Sequence, residues 1–264
     1  MSIDVLKEPG LHVITINRPE RRNALDLEHF GALADAWIDF RDDADARVAI
    51  ITGTGRDFCV GADLKSFVPM VTDNIDELAS GKSEIRADAG LVAVLREFEL
   101  FKPVIAAVNG TCTAGGMEML LGTDIRIASP DARFGVAEPK RGLFPGGGTT
   151  VRLPRQIPFP WAMEILLTAE FIDADTAARM GIVNRVVPAE NLLVEARAVA
   201  ARIMENAPLA VQAVKQSVLT GLRMNLKEAF EQELMHAAKV FMTEDAKEGP
   251  RAFAEKRAPV WKAR

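Results

Sequence analysis

Short apolar runs recur along the first half of the chain. Residues 11–16 alternate apolar and polar positions, while residues 48–52 and 104–108 are unbroken apolar runs that Gly or Asn-Gly closes. Residues 125–128 form a weaker fourth run. Unbroken apolar runs are typical of strands buried on both faces, as in a parallel sheet covered by helices. The pattern therefore predicts an α/β protein with these four strands in its sheet.

A helix is predicted between the first two runs. Asp26 is a residue type that caps helices, because its side chain can accept a hydrogen bond from a free N–H of the first turn. Apolar positions at helical spacing follow it, namely Phe30, Leu33 or Ala34, Trp37 and Phe40. Residues 67–90, by contrast, are polar and irregular, which predicts a mobile segment before a helix over about residues 87–99.

The strand pattern ends near Pro188, and helical stripes replace it. One stripe comprises Leu192, Ala196, Val199 and Ile203, and a second comprises Val211, Val214, Val218 and Leu222. Pro208 stands at a favourable first-turn position of the second helix. We therefore divide the chain into an α/β core over residues 1–190 and a helical C-terminal region over residues 191–264.

Two further elements are predicted near the end of the chain. Asn225 and, three residues later, Glu228 resemble a capping box at the start of a third helix. Gly249 and Pro250 are residue types that interrupt helices, so they predict a turn before a final basic helix over residues 251–257.

Composition excludes several classes of protein. Of the 264 residues, 48% are hydrophobic and 26% are charged, which is typical of a globular chain rather than a disordered one. The 32 basic and 37 acidic residues leave a net charge of −5, so the chain has no overall attraction for nucleic acid or an anionic membrane. No apolar stretch approaches the ~20 residues that a membrane crossing needs. We expect neither a nucleic-acid partner nor a membrane partner.

Cysteine and histidine usage bears on metal binding and on location. The chain has two cysteines, Cys59 and Cys112, and three histidines, His12, His29 and His236, all widely separated. They lack the ligand spacing of a zinc site, so no metal is expected. The N-terminus lacks the pattern of a secretory signal, and two unpaired thiols fit a reducing compartment. We expect a cytoplasmic protein.

Two glycine-rich turns follow predicted strands, where open α/β sheets bind their ligands. The first covers residues 53–65, and it fails as a dinucleotide fingerprint because Phe58 stands where the third glycine of GxGxxG belongs. Neither turn contains the GxxxxGK[ST] pattern of a P-loop. A tight turn with Phe58 packed beneath it is an equally good interpretation of the first turn.

The second turn, residues 109–119, predicts an anion site. Gly115 and Gly116 can open a helix, whose first N–H groups lack internal partners and carry partial positive charge. Glu118 would lie in the first turn of that helix, close to whatever those amides hold. Ordinary helix capping is the alternative explanation for Glu118.

A second carboxylate, Glu138, precedes a loop rich in Gly and Pro. A lone glutamate in a loop is usually a solvated charge. Two carboxylates brought together in a dry pocket would instead suit paired acid–base chemistry on one water molecule. The spacing of Glu118 and Glu138 along the chain does not show whether they meet.

Taken together, these segments resemble the enoyl-CoA hydratase/isomerase (crotonase) superfamily. The resemblance rests on five motifs in family order, spread over nearly the whole chain: residues 58–65 (FCVGADLK), 109–118 (NG through GGME), 134–138 (FG through E), 145–149 (PGGGT) and the tail segments 244–249 and 253–257.

The resemblance implies a fold, an assembly and a reaction. The fold would be a spiral of ββα units with C-terminal helices that mediate homotrimers, often paired as homohexamers. The substrate would be an acyl-CoA thioester, with coenzyme A as part of the substrate and no separate cofactor. By motif position, the N–H groups of Ala62 and Gly115 would form an oxyanion hole for the thioester carbonyl. Glu118 and Glu138 match the two glutamates with which hydratases hold and activate water.

The resemblance also implies a coenzyme A site. Lys65 follows the first oxyanion motif, and Gly61 and Asp63 flank Ala62 within it. Lys256 and Phe253 lie on the tail segment that reaches the nucleotide in this family, where the ring could pack beside adenine. For both lysines, surface solubility is the alternative. Three further cations could border the nucleotide: Arg18, Arg21 and Arg22.

The leading hypothesis is a hydratase of fatty-acyl metabolism, because the chain retains both glutamates. The alternatives are double-bond isomerisation, dehydration of a specialised hydroxyacyl-CoA, thioester hydrolysis and acyl-CoA binding without catalysis. The polar stretches 111–114 and 139–141 depart from the usual family pattern and leave the acyl chain open. Because no histidine lies in these motifs, we interpret Cys112 as a packing residue rather than a nucleophile.

Overall fold

Strands that are neighbours along the chain lie in two different sheets. The computed structural model describes residues 3–74, 76 and 87–264. Within these ranges the strands are β1 Ile3–Glu8, β2 Leu11–Ile16, β3 Val48–Gly53, β4 Asp57–Cys59, β5 Val104–Val108, β6 Thr111–Thr113, β7 Ile125–Ala128, β8 Arg133–Gly135, β9 Ile172–Asp173 and β10 Arg185–Val186.

The four predicted strands form the centre of the larger sheet. Its order is β1-β2-β3-β5-β7-β10, and every pairing except β1 with β2 is parallel. A register such as Ile14 with Ile51 and Ile51 with Ala106 places fully buried side chains next to one another. Apolar clusters cover both faces of the sheet, as the unbroken apolar runs require.

The second sheet has the order β4-β6-β8-β9. Each of β3, β5 and β7 in the larger sheet is followed along the chain by β4, β6 or β8 in the smaller one. This alternation produces the expected ββα spiral. The sequence predicts none of the second-sheet strands, because strands of two or three residues, such as β4 with Asp57 and β8 with Arg133, are too short to show apolar periodicity.

The helices cover the sheets and form the C-terminal region. In the described ranges they are α1 Leu27–Asp42, α2 Phe67–Asp73, α3 Ala87–Ala93, α4 Gly115–Leu120, α5 Thr149–Gln156, α6 Phe159–Thr168, α7 Ala174–Met180, α8 Leu192–Met204, α9 Pro208–Gly221, α10 Leu226–Phe241 and α11 Glu244–Ala254. None of the helices in this part of the chain has the length and apolar character that a membrane crossing requires.

Helix α1 forms as the sequence predicts. The Asp26 side chain accepts a hydrogen bond of 3.1 Å from the His29 N–H, which satisfies one of the free donors of the first turn. The predicted apolar face is buried in the core, and Trp37 and Phe40 are fully inaccessible. The Trp37 indole N–H donates to the Ala93 carbonyl at 3.1 Å, so α1 and α3 are held together by a polar contact as well as by packing.

The predictions for residues 67–99 are partly wrong. Residues 67–73 form the helix α2 rather than an irregular stretch, and the Phe67 ring contacts that of Phe30 of α1 in a tilted arrangement, with 4.6 Å between the ring centroids. Residues 75 and 77–86 lie outside the described residues. Helix α3 ends at Ala93 instead of continuing to residue 99, because Leu95 and Glu97 adopt φ angles of 57° and 54° that no right-handed helix contains.

The predicted break at Gly249 and Pro250 is also wrong. Helix α11 runs through both residues from its cap at Thr243, whose side chain accepts the Ala246 N–H at 3.1 Å. Proline removes one backbone donor from the helix, but tertiary contacts outweigh this loss. Asp245 and Ala252 are buried, and the Asp245 carboxylate accepts two backbone N–H groups of the chain end at 2.7 and 3.0 Å.

The C-terminal helices differ in how far they are buried. Helix α8 packs on the larger sheet through Leu192, Ala196 and Val199. Helices α9 and α10 pack against each other and leave a row of large apolar side chains uncovered in the single chain, namely Val214, Val218, Leu222, Leu226, Phe230, Leu234 and Phe241. The Asn225 cap of α10 forms as predicted and accepts the Glu228 N–H at 3.1 Å. The division of the chain near residue 190 stays a prediction.

Candidate active site

The two glycine-rich turns meet in space. Gly61, which follows β4, has a φ of 88° and lies directly against the start of α4. A Cβ atom on Gly61 would approach the Gly115 nitrogen to 2.7 Å and the Ala114 Cβ to 2.6 Å. Only glycine allows this approach, since real Cβ atoms do not come so close to other atoms. The turn that carries Ala62 is therefore in van der Waals contact with the helix N-terminus at Gly115.

Backbone pairing fixes the direction of the Ala62 amide. The Leu25 N–H donates to the Gly61 carbonyl at 2.8 Å, and the Asp63 N–H donates to the Leu25 carbonyl at 2.7 Å. This parallel bridge uses the groups on either side of Ala62 and leaves its own N–H free. Within the described residues, neither the Ala62 N–H nor the Gly115 N–H donates to a protein acceptor. A first-turn amide such as that of Gly115 has no partner inside its helix.

Ala62 and Gly115, the residues that carry these amides, line one cavity of about 960 Å³. Glu118 and Glu138 also line it, so the structure brings the four predicted catalytic residues together. Much of the remaining lining is apolar and includes Phe30, Phe67, Leu91, Val94, Leu143 and Phe171. An apolar wall around convergent polar groups is typical of a small-molecule site.

Glu118 is a buried carboxylate with a backbone partner. It lies in the first turn of α4, as predicted, and its N–H donates to the Ala114 carbonyl at 2.9 Å. The Gly147 N–H donates to its Oε1 atom. Burial raises the pKa of Glu118 to about 7, and the nearby charge of Glu138 acts in the same direction, while the Gly147 N–H and two arginines oppose them. Helix capping alone does not explain a carboxylate that faces a cavity.

Glu138 differs from Glu118 in its hydrogen bonding. It begins the short 3₁₀ turn Pro139–Arg141, and its backbone carbonyl accepts the N–H groups of Arg141 and Leu143 at 2.9 and 3.0 Å. Its carboxylate oxygen Oε2 is buried and has no hydrogen-bond partner among the described residues. Burial raises the pKa of Glu138, against the opposing charge of Arg141. One oxygen of this carboxyl is thus desolvated without a compensating hydrogen bond, which favours the protonated form.

Two arginines that do not line the cavity donate hydrogen bonds to backbone carbonyls around the site. Arg152 of α5 donates to the carbonyls of Val94 and Glu118, both at 3.0 Å, and also to that of Leu95. Arg96 donates to the Gly146 carbonyl. The sequence shows the PGGGT motif that contains Gly146 and Gly147, but it does not show that the Gly147 N–H binds Glu118. The position of the motif shortly after Glu138 is the one sequence feature that links it to the site. Nothing in the sequence indicates a role for Arg96 or Arg152.

Cationic side chains lie along the opening of the cavity. Arg21, Arg22, Lys65 and Arg141 all line it. Arg22 is held by Asp57 in an ion pair of 2.7 Å. Lys65 is exposed, and its ammonium group makes no ion pair within the described residues. A free ammonium at this position can bind an anionic group of a ligand.

Gly61 and Asp63 hold the turn in place. The Asp63 carboxylate accepts the Lys65 N–H at 2.9 Å and the Arg18 guanidinium at 3.2 Å. Because both of its oxygens are engaged and Gly61 is buried beneath Ala114, the structure gives these residues a positioning role. Their contact with coenzyme A stays a prediction.

Phe253 and Lys256 lie at the C-terminal end of α11. Phe253 is 87% exposed, and neither residue lines the cavity of the single chain. The structure does not bring them to the cavity with the other predicted site residues, and their role in ligand binding stays a prediction. Cys112 is fully buried opposite Cys59 in the neighbouring strand, and burial raises the pKa of its thiol well above the usual range.

Comparison with known proteins supports a common origin along the whole chain. The family model described as enoyl-CoA hydratase/isomerase matches residues 7–264. An enoyl-CoA hydratase of Mycobacterium tuberculosis is 44% identical over 99% of this chain and 97% of its own length. A carnitinyl-CoA dehydratase of Salmonella typhi is 40% identical over 100% of this chain and 99% of its own.

Solved structures confirm the fold. A crystal structure of an enoyl-CoA hydratase from Bacillus anthracis matches with a TM-score of 0.91 and 33% identity, and each chain is covered over 100% of its length. An enoyl-CoA hydratase from Mycobacterium tuberculosis matches with a TM-score of 0.89 and 38% identity over 100% of this chain and 99% of its own. The predicted α/β spiral of ββα units with a helical C-terminal region is confirmed.

Proposed function

This chain belongs to the enoyl-CoA hydratase/isomerase family, and we propose that it is an enoyl-CoA hydratase, which adds water reversibly to a 2-enoyl-CoA to give a 3-hydroxyacyl-CoA. One observation carries the proposal. Glu118 and Glu138 line the same cavity as the free N–H groups of Ala62 and Gly115. Hydration of an enoyl thioester uses both the pair of carboxyl groups and the pair of N–H donors.

The two amides would stabilise the charge that forms during the reaction. Attack of water on the β-carbon places negative charge on the thioester oxygen, which becomes an enolate oxygen. The N–H groups of Ala62 and Gly115 are already free and fixed, so no reorganisation is needed as that charge develops. A donor of this kind contributes about 3–4 kcal/mol to the stability of a transition state.

The two glutamates would divide the proton transfers between them. We assign Glu118 to orient and deprotonate water, because the Gly147 N–H favours its ionised form. We assign Glu138 to donate the proton to the α-carbon, because its buried and unpartnered Oε2 favours the protonated form. Burial raises the pKa of both carboxyl groups, and a Glu118 pKa of about 7 allows proton uptake and release near neutrality.

The coenzyme A portion of the substrate would enter past the cationic side chains along the opening of the cavity. Lys65, with the free ammonium, is the best placed to bind a phosphate, and Arg21 and Arg141 lie along the same opening. We propose that Phe253 and Lys256 contribute from a neighbouring copy of the chain. Coenzyme A is then carried by the substrate, and the reaction involves no separate cofactor and no metal.

We propose a homotrimer, or a homohexamer built from two trimers, in the cytoplasm. The apolar row on α9 and α10 supports this, since side chains such as Leu222 and Phe230, 76% and 61% exposed, are rarely left uncovered in such numbers.

Dehydration of a 3-hydroxyacyl-CoA is the second candidate, favoured by the similarity to a carnitinyl-CoA dehydratase. It uses the same groups in reverse. Isomerisation of a 3-enoyl-CoA would instead move a proton without adding water.

Isotope incorporation separates hydration from isomerisation. Incubation of the enzyme with a trans-2-enoyl-CoA in ¹⁸O-labelled water should give a product that contains one labelled hydroxyl oxygen. A 3-enoyl-CoA in the same incubation should remain unchanged, because a hydratase that does not move the double bond has no 2-enoyl substrate to act on. Rapid isomerisation without label would favour the isomerase, and release of free coenzyme A thiol would indicate a hydrolase.

A further inference from the structure

A single peptide unit connects Arg96 to the carboxylate of Glu118. The peptide bond between Gly146 and Gly147 presents its N–H to Glu118 Oε1 and its carbonyl oxygen to Arg96 Nη1. The guanidinium, the peptide and the carboxylate therefore form one continuous chain of hydrogen bonds. Arg96 does not touch the cavity itself.

The backbone around Arg96 is held in an unusual conformation. The residues on both sides of it, Leu95 and Glu97, have φ angles of 57° and 54°. Non-glycine residues in this region carry strain that persists only where surrounding contacts impose it. Here the Arg96 N–H donates to the Leu91 carbonyl at 2.7 Å, and Arg152 binds the carbonyls of Val94 and Leu95. These contacts direct the Arg96 side chain towards the Gly146 carbonyl.

We propose that Arg96 is a positioning residue for the reaction, which acts on Glu118 through the Gly146–Gly147 peptide. The proposal rests on the proposed function of Glu118 as the base. Hydrogen bonds in a chain polarise one another, so a cation on the carbonyl makes the N–H of the same peptide a stronger donor. The cation also fixes the glycine-rich loop, which has no side chain of its own to hold it at Gly146 or Gly147.

The groups that face Glu118 come from several elements. Glu138 and the buried Cys59 thiol lie nearby, Arg152 binds the backbone carbonyl of Glu118, and Arg96 acts from the far side of the peptide. Arg96 also pairs with Glu97 at 3.3 Å, and the Arg96 side chain is 40% exposed. Removal of the Arg96 charge should therefore raise the pKa of Glu118 above about 7, because one of the groups that favour the ionised form is lost.

The test compares three variants in the full-length protein. Arg96→Met removes the charge and keeps much of the side-chain length, Arg96→Lys keeps a charged donor, and Arg155→Met is the control. Arg155 lies on α5 beside Arg152, is exposed, and donates only to the Val151 carbonyl of its own helix. The readout is an infrared titration of the protonated Glu118 carboxyl band, assigned by its loss in Glu118→Gln. Circular dichroism checks that each variant is folded.

We expect Arg96→Met to shift the midpoint of that band upward by at least about half a pH unit. In Arg96→Lys the midpoint should lie much closer to that of the unmodified protein, and in Arg155→Met it should match the unmodified protein. With any thioester that the enzyme turns over, Arg96→Met should lower kcat with little change in KM, since the substrate is not in contact with Arg96.

An unchanged midpoint in folded Arg96→Met would overturn the proposal, as would equal shifts in the Met and Lys variants. The infrared titration needs no substrate. Failure of the protein to hydrate any enoyl-CoA would therefore contradict the proposed function without affecting this result.

Discussion

The backbone N–H of Gly147 donates to the Glu118 carboxylate, and a Cβ atom on Gly147 would lie only 2.1 Å from Glu118 Oε2. A side chain at this position would therefore force the Glu118 carboxylate to move. We expect Gly147→Ala to displace the carboxylate and to lower kcat on the order of 100-fold, the effect of a misplacement of about 1 Å. Steady-state kinetics with a trans-2-enoyl-CoA checks this.

Gly31→Ala is the matched control for that substitution. Gly31 lies in α1, and nothing is within 4 Å of the position that its Cβ would take. Replacement of a helical glycine by alanine should stabilise the protein by about 0.5–1 kcal/mol and leave kcat unchanged. Full activity of Gly147→Ala would mean that the close approach of the loop to Glu118 is not needed for catalysis.

The pH dependence should have the same sign in the two directions of the reaction. Hydration needs ionised Glu118, so kcat/KM should fall as the pH decreases through about 7. Hydration consumes no net proton, so the equilibrium constant does not change with pH, and kcat/KM for dehydration of the 3-hydroxyacyl-CoA must fall in parallel. Initial rates in both directions, measured across the pH range on one substrate pair, check this. A kcat/KM for hydration that does not fall on acidification through about 7 would assign the base elsewhere.

The buried base should also destabilise the protein. Glu118 has a pKa of about 7 in the folded state against an ordinary value of 4.5, so the folded state binds more protons between these values and stability falls as the pH rises. We expect Glu118→Gln to increase the free energy of unfolding at pH ~8 by up to about 3 kcal/mol. This advantage should disappear near pH ~4.5.

Denaturation in urea at several pH values measures the effect. Glu164→Gln serves as the control, because Glu164 is exposed on α6 and its replacement should change stability by less than about 0.5 kcal/mol. Equal stability of Glu118→Gln and the unmodified protein at high pH would contradict the account of Glu118 as a desolvated carboxylate.

The apolar row on α9 and α10 should be a subunit interface. Leu222→Glu places a charge on a side chain that is 76% exposed in the single chain, and burial of an unpaired charge between copies is unfavourable. We expect light scattering to find a trimer or hexamer for the unmodified protein and smaller species for the variant. Leu6→Glu, at a 54% exposed position of the edge strand β1, should leave the assembly intact. A monomeric unmodified protein would contradict the proposed assembly.

The sequence predicts the parts of the fold that burial on both sides determines. The central strands are recognisable because an unbroken apolar run indicates a strand buried on both faces. Helix α1 is recognisable because apolar residues at helical spacing indicate a helix with one buried face. The second sheet escapes this reasoning, since β4 and β8 are short and begin with Asp57 and Arg133. The course of α11 through Pro250 also escapes it, because the buried Asp245 contacts that support the helix come from residues at the far end of the chain.

In the candidate site, too, some residues could be predicted from the sequence and others could not. Ala62, Gly115, Glu118 and Glu138 lie in recognisable motifs, and the fold brings them to one cavity. The residues behind them could not be predicted. Arg96 and Arg152 act through backbone carbonyls of segments distant in sequence, and a carbonyl acceptor has no sequence signature. The exposed position of Phe253, away from the cavity, is likewise not predictable from its motif.

The most direct test of the proposed chemistry is the hydration of trans-2-enoyl-CoA thioesters. A panel of graded acyl length is followed by loss of the enoyl absorbance, with the unmodified protein, Glu118→Gln and Glu138→Gln. We expect the unmodified protein to hydrate at least one thioester and each variant to lose about 100-fold or more in kcat, as expected for removal of an acid–base group. Near-normal turnover by either variant, or no turnover of any thioester by the unmodified protein, would contradict it.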